Sequence, residues 1–226
     1  MIRKPESPYK GWTTYISRPM YRYVAKTTLY ALCGKFSIEE VDVEVNYSKF
    51  LGPDWKATDT VPTIVIGNHT SWCDIVVQMC IWVPAFIAKS SVRKMPFVGV
   101  AAQQSSCCWV DRGNKASKTQ TLDNIKKRQE EVEEGLYPPL IVNPEGGTSN
   151  GKYLLGFKKG CFSSLKSIQP IIIEYVTEGM HMEQCMMPIH THIIMMGALG
   201  DIKKIRVHKL PIFQPNEYML KTHKRQ

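Results

Sequence analysis

No run of apolar residues in this sequence approaches the roughly 18 that a conventional transmembrane helix needs, so the chain does not read as membrane-spanning. There is no internal repeat and no low-complexity tract, which sets aside solenoids, propellers and disordered arrays. The seven cysteines are odd in number and follow no regular framework. That argues against a disulfide scaffold and for free thiols in, or facing, a reducing compartment. Cys107 and Cys108 are adjacent on an expected strand, point to opposite faces and read as core. No glycine cluster forms a nucleotide-triphosphatase phosphate loop, and the aromatics do not interleave with basic residues as a nucleic-acid stacking platform requires. Acid is scarce as well: 20 Asp and Glu stand against 29 Lys and Arg, a net charge of +9. The excess implies an anionic partner, and without a nucleic-acid module this means a phospholipid surface or a phosphorylated small molecule. The N-terminus is basic, nearly free of acid and without a signal-peptide core; its transit-peptide flavour is faint. At 226 residues the chain suits one domain with a full core.

The stretch that organises the rest is Asn68 to Asp74, N-H-T-S-W-C-D. Before it, Thr63-Ile64-Val65-Ile66 is a short β-favouring run between Pro62 and Gly67, which predicts a strand. After it, Ile75, Val76, Met79, Cys80 and Val83 recur with helical spacing until Pro84. His69 then sits at the carboxyl end of a strand and Asp74 in the first turn of a helix, where open α/β sheets place their sites. A carboxylate at one ring nitrogen fixes the imidazole and leaves the other nitrogen to take a proton, which makes a general base. Ser71-x-x-Asp74 is equally a helix-capping pattern. His69 and Cys73 could also pair as a thiol nucleophile with its base, although Cys73 lies at a helix start with nothing further to mark a depressed thiol pKa. Two more polar turns follow short apolar runs, Val110-Asp111-Arg112-Gly113 and Asn143-Pro144-Glu145-Gly146-Gly147-Thr148. Three such turns at three strand ends suggest one site.

These blocks together resemble the glycerophospholipid acyltransferase superfamily, which includes 1-acylglycerol-3-phosphate and lysophospholipid acyltransferases. N-H-T-S-W-C-D is similar to its first block, N-H-x-S-x-x-D. Phe86 to Gly99 resembles the A-K-x-x-x-x-x-x-P-x-x-G segment, and Trp109 to Arg112 the second block. Asn143 to Phe162 resembles the third block as extended in the lysophospholipid branch, and Gln169-Pro170-Ile171-Ile172 the fourth. The likeness runs from about Ile38 to Pro215. It implies a single α/β domain of the glycerolipid acyltransferase type, with a mostly parallel central sheet flanked by helices. It also implies His69 and Asp74 as catalytic residues, Arg112 on the acceptor phosphate, and Glu145, Gly146, Gly147 and Thr148 in the acceptor-binding turn. Gly147 stands where the family usually has Thr. The implied substrates are acyl-CoA, as co-substrate with no cofactor or metal, and a lysophospholipid or lysophosphatidic acid. Surface lysines such as Lys158 and Lys159 would meet CoA's phosphates. The implied place is an anionic membrane surface, of the endoplasmic reticulum or mitochondria. A second reading makes the chain a lipid-binding or structural subunit of a larger membrane protein complex, with reduced catalysis.

Elsewhere the pattern divides the chain into 1–35, an arm and amphipathic membrane-surface helix, and 36–226, the acyltransferase domain. In the first part Met20, Tyr23, Val24, Thr27 and Ala31 form an apolar stripe, and Arg18, Arg22 and Lys26 a basic one expected to face lipid. Val41, Val43 and Val45 predict a half-exposed strand, Val98 to Ser106 a short helix, Ser117 to Glu134 a longer one capped by Gly135 with a solvated charge run, and Ile205 to Phe213 a last strand. His181, Cys185, His190 and His192 lie in a methionine-rich stretch, with His190 and His192 expected on one strand face, where a soft metal is conceivable but core packing is the simpler reading. The basic tail from Lys221 would touch headgroups or stay solvated.

Overall fold

A computed structural model describes residues 12–94, 99, 102–103, 105–110, 115–179, 181–184, 187–199 and 202–222. In chain order the elements are α1 (Trp12–Cys33), β1 (Ser37–Asp42), α2 (Ser48–Leu51), β2 (Ile64–Gly67), α3 (Cys73–Ile81), β3 (Ala85–Lys89), β4 (Cys108–Val110), α4 (Lys115–Glu133), β5 (Leu140–Val142), β6 (Ile168–Thr177), α5 (Ile189–Leu199), β7 (Ile202–Lys209) and α6 (Glu217–Thr222), with 3₁₀ turns at Ser90–Lys94 and Lys159–Phe162. The strands form one seven-stranded sheet in the order β1-β7-β6-β2-β5-β3-β4. Every pairing is parallel except β6 with β7. This is the mostly parallel α/β sheet that the sequence predicts.

Two layers of apolar side chains cover the sheet. On one face Val65, Ile141, Ile171, Ile173, Ile205 and Val207 pack against residues of α1, α3 and α5, among them Leu29, Cys33, Val77 and Met196. On the other, Ile64, Ile66, Ala85, Leu140 and Ile168 meet Ile125 of α4 and Cys161. The central strands are short, continuous apolar runs because both of their faces are buried. α1 is part of this core, since Leu29 is fully buried and Cys33 nearly so.

Several expectations are corrected. The first strand is Ser37–Asp42, not the Val41 to Val45 alternation, because its pairing with β7 decides its place; Val43 adds one further bond, from its N–H to Lys209 O at 2.8 Å. His190 and His192 lie on helix α5, not on a strand, in a run that starts directly after Pro188. Among the described residues no group of His, Cys, Asp and Glu could hold a metal ion. Arg18 and Arg22 do not form a free basic stripe. Their guanidinium groups donate to Trp82 O at 3.0 Å and Ile81 O at 2.6 Å, satisfying carbonyls at the C-terminal end of α3. Arg128 is not merely solvated either: it donates to Ser106 O at 2.6 Å and lies 4.0 Å from the centre of the Tyr137 ring. The Gly135 cap is present at φ +70°, with Gly135 N–H bonded to Val132 O and Leu136 N–H to Glu131 O. Four of the nine residues of the helix expected from Val98 to Ser106, together with Cys185, the N-terminal arm and residues 223–226, lie outside the described residues.

Candidate active site

β2 brings Gly67 to the carboxyl edge of the sheet, and the chain then turns through Asn68 and His69 into α3. The Asn68 amide replaces a strand residue here. Its Nδ2 donates to Ile173 O at 3.0 Å and its Oδ1 accepts from Ile173 N–H at 2.8 Å, so the β2–β6 ladder continues through a side chain while the backbone turns away. Two further bonds pin the turn, Ser149 N–H to His69 O and Gln184 N–H to Thr70 O, both at 2.8 Å.

His69 Nδ1 lies 3.0 Å from Asp74 Oδ2. The same oxygen accepts the backbone N–H groups of Thr70 at 2.8 Å and Ser71 at 3.0 Å, and Oδ1 accepts the Tyr175 hydroxyl at 2.6 Å. Every other partner of this fully buried carboxyl is a donor, so His69 Nδ1 also donates and Nε2 is left as the proton acceptor. Nε2 makes no hydrogen bond to a described residue, and the His69 side chain is 16% exposed. The capping pattern is present as well, because Ser71 Oγ accepts Cys73 N–H at 3.2 Å. One turn therefore caps α3 and aims an imidazole.

Tyr175, on β6, was not singled out from the sequence. Burial first, and then the adjacent Asp74 carboxylate, push its hydroxyl well above the usual tyrosine range, so it stays protonated and donates. Cys73 is no nucleophile. It is fully buried with Sγ 3.7 Å from Met196 Sδ, and its hydrogen bond with Cys33, together with burial, drives its thiol pKa upward. Trp72, the residue before Cys73, donates its indole N–H to buried His192 Nδ1 at 3.0 Å, and burial lowers the pKa of that imidazole.

Glu145, only 5% exposed, spans two segments: Oε1 accepts His69 N–H and Oε2 accepts Leu155 N–H, both at 2.9 Å. Both of its oxygens thus have partners within the protein, and it ties the histidine's backbone to the later part of the third block. Gly146 sits at φ +74°, a conformation that favours glycine, and the Lys158 side chain crosses it. Gly147 is exposed, is not at positive φ, and a Cβ there would meet nothing within 4 Å, so the glycine freedom the turn needs belongs to position 146. Thr148 is half-buried beside it. The turn carrying Arg112, residues 111–114, lies outside the described residues. Next to Thr70 opens a groove of about 420 Å³, with Ile66, Pro170, Ile172 and Leu210 on its floor and Tyr153 and Leu154 on its wall. A second apolar hollow of about 360 Å³ continues beyond Ile66 and Pro170 towards Phe213 and Met219. Among the described residues no helix is long and apolar enough to cross a membrane.

Comparison with known proteins places this geometry. The family model described as Acyltransferase matches residues 53–177, which include both His69 and Glu145. A lysophospholipid acyltransferase of Arabidopsis thaliana is 30% identical over 158 residues, 69% of this chain and 39% of that protein. A second one from the same plant is 27% identical, over 70% of this chain and 28% of its own length. A lyso-ornithine lipid O-acyltransferase of Rhizobium meliloti is 30% identical over 57% of this chain and 46% of that protein. The chain thus spans less than half the length of these relatives. In fold it is similar to the crystal structure of the 1-acyl-sn-glycerophosphate (LPA) acyltransferase PlsC from Thermotoga maritima, with a TM-score of 0.55 and 18% identity over 93% of this chain and 74% of that one. With the family model covering more than half of the sequence, the chain belongs to the Acyltransferase family, within the glycerophospholipid acyltransferase superfamily.

Proposed function

We propose that this protein transfers an acyl group from acyl-CoA to the free hydroxyl of a lysophospholipid or 1-acylglycerol 3-phosphate at a membrane surface. The observation that carries this reading is the His69–Asp74 pair at 3.0 Å, with Nε2 bonded to no described residue and an apolar groove alongside. The acceptor hydroxyl gives its proton to Nε2 as its oxygen attacks the thioester carbonyl, and Asp74 stabilises the imidazolium that forms. The tetrahedral intermediate collapses, the C–S bond breaks, and the leaving thiolate recovers the proton from His69 as CoA thiol. No acyl-enzyme is needed, in keeping with the buried Cys73. Arg112 holds the acceptor's phosphate by a forked, charge-assisted contact. An acyl chain lies in the groove, whose size falls within the usual range of ligand pockets, about 300–1,000 Å³.

Attachment to the membrane is peripheral and uses the apolar stripe of α1. Tyr15, Ile16, Met20, Tyr23 and Val24 are all more than half exposed on a helix whose opposite side is packed. The bilayer is that of the endoplasmic reticulum or mitochondria. The test is a panel of lysolipids offered with labelled acyl-CoA to the purified protein in detergent micelles. Label appearing in one or more diacyl products supports the reading, and label released only as free fatty acid sinks it.

A further inference from the structure

From Gly151 to Lys159 every residue is exposed, and the segment forms no regular structure before the 3₁₀ turn that begins at Lys159. It nevertheless carries four large apolar side chains: Tyr153 at 77% exposure, Leu154 at 68%, Leu155 at 46% and Phe157 at 43%. A floppy loop would fold such groups back onto the body. This one is held by its backbone, and of the four only Phe157 turns back to stack on a described ring of the body, that of Phe162, at 6.3 Å. Lys152 N–H bonds to Asn150 Oδ1 at 3.2 Å, Leu155 N–H to Glu145 Oε2 at 2.9 Å and Lys158 N–H to Pro144 O at 2.9 Å. The apolar tip is thus presented by a fixed frame, with Lys152 on one side and Lys158 and Lys159 on the other.

We infer that this loop is a lip that dips into an anionic bilayer beside the active site and passes the lipid acceptor from the membrane to His69. Three observations fit a lipid surface better than a protein groove. Apolar and aromatic tips flanked on both sides by lysine match the layering of acyl region, interface and anionic headgroups. The chain's net charge of +9 favours the same partner. Tyr153 and Leu154 also wall the groove that Asn68 and Thr70, the chain neighbours of His69, line, so a lipid raised along the lip arrives beside the turn that carries His69. Glu145 couples the two events, since its other oxygen holds the His69 N–H at 2.9 Å. On this inference Lys158 and Lys159 meet headgroup phosphates.

This inference rests on the membrane reading above, and the experiment separates the two. An environment-sensitive fluorescent amino acid is placed at position 154 in one sample and at position 61 in another. Val61 is 67% exposed but precedes β2, at the opposite end of the sheet from His69. Vesicles of phosphatidylcholine and phosphatidylserine, with or without brominated acyl chains, are then titrated in, while sedimentation reports total binding. The expected result is a blue shift and bromine quenching at 154 and neither at 61, with vesicle binding weakened tenfold or more when Tyr153, Leu154 and Phe157 are changed together to Ser. Sedimentation with vesicles without quenching at 154 overturns the lip and leaves the membrane reading standing. Absence of sedimentation overturns both. A blue shift at 154 that appears on concentrating the protein without vesicles assigns the patch to contact between copies of the chain, and also overturns the lip.

Discussion

Changing Tyr175 to Phe removes one oxygen and leaves the ring, so it isolates the 2.6 Å bond to Asp74 Oδ1. Asp74 is fully buried, and this hydroxyl is the donor to Oδ1, while Oδ2 serves His69 and two backbone N–H groups. Leaving a buried carboxylate oxygen without its donor costs about 1.5–3 kcal/mol. The loss divides between fold and catalysis, because the bond exists before the reaction begins yet also fixes the carboxylate that must stabilise imidazolium. We expect melting to show a loss of about 1.5 kcal/mol, and kcat to fall about tenfold, equal to about 1.4 kcal/mol of barrier. The Michaelis constants for both substrates should hold, since the Tyr175 hydroxyl is engaged by Asp74. If Tyr175 acts through Asp74, its effect on kcat should vanish in an Asp74→Asn background. A Tyr175→Phe effect of equal size in both backgrounds, or one confined to the Michaelis constants, would refute the reasoning.

Other consequences follow from single contacts. Arg18→Gln should destabilise the protein by about 1.5 kcal/mol by urea titration, because it removes a charged donor from the C-terminal end of α3, whereas Met20→Gln should leave stability alone and weaken vesicle binding. Gly147→Thr should fold as well as the parent, since its Cβ meets open space; Gly146→Thr should fold worse, at φ +74°. Burial pushes the Cys107 thiol up to about 12. The unfolded thiol ionises near pH 8.5, so the unfolded chain loses a proton that the folded one keeps, and stability from this group is full below about pH 8.5 and falls above it. Cys107→Ala should make the decline in stability between about pH 9 and 11 shallower by one proton's worth of slope, read from urea midpoints across that range.

What the sequence reveals of this site is its local part. His69 and Asp74 are five residues apart, so strand end, cap and helix start can be read from one window, and the structure joins them as that window predicts. Tyr175 lies 101 residues from Asp74 and Ile173 lies 105 from Asn68, and no spacing rule connects such pairs. Glu145 could be placed in the site by its block, but its bond to the His69 backbone, 76 residues away, appears only in three dimensions. Tertiary partners likewise decide the misread elements. Arg18 and Arg22 recur every fourth residue as a headgroup-facing stripe would, yet the end of α3 lies within their reach and binds them. His190 and His192 alternate as on a strand, but Pro188 starts a helix there and His192 N–H bonds back to its carbonyl at 3.0 Å.

The central claim is that His69 Nε2 removes the acceptor's proton. Its most direct test is the single-turnover rate of acyl transfer from labelled acyl-CoA to the preferred lysolipid in the parent and in His69→Ala, with melting temperatures in parallel. The account predicts an unchanged fold and a rate lowered by about 10²–10⁴, the usual worth of a positioned general base. A folded His69→Ala protein that transfers the acyl group at the parent's rate would contradict it.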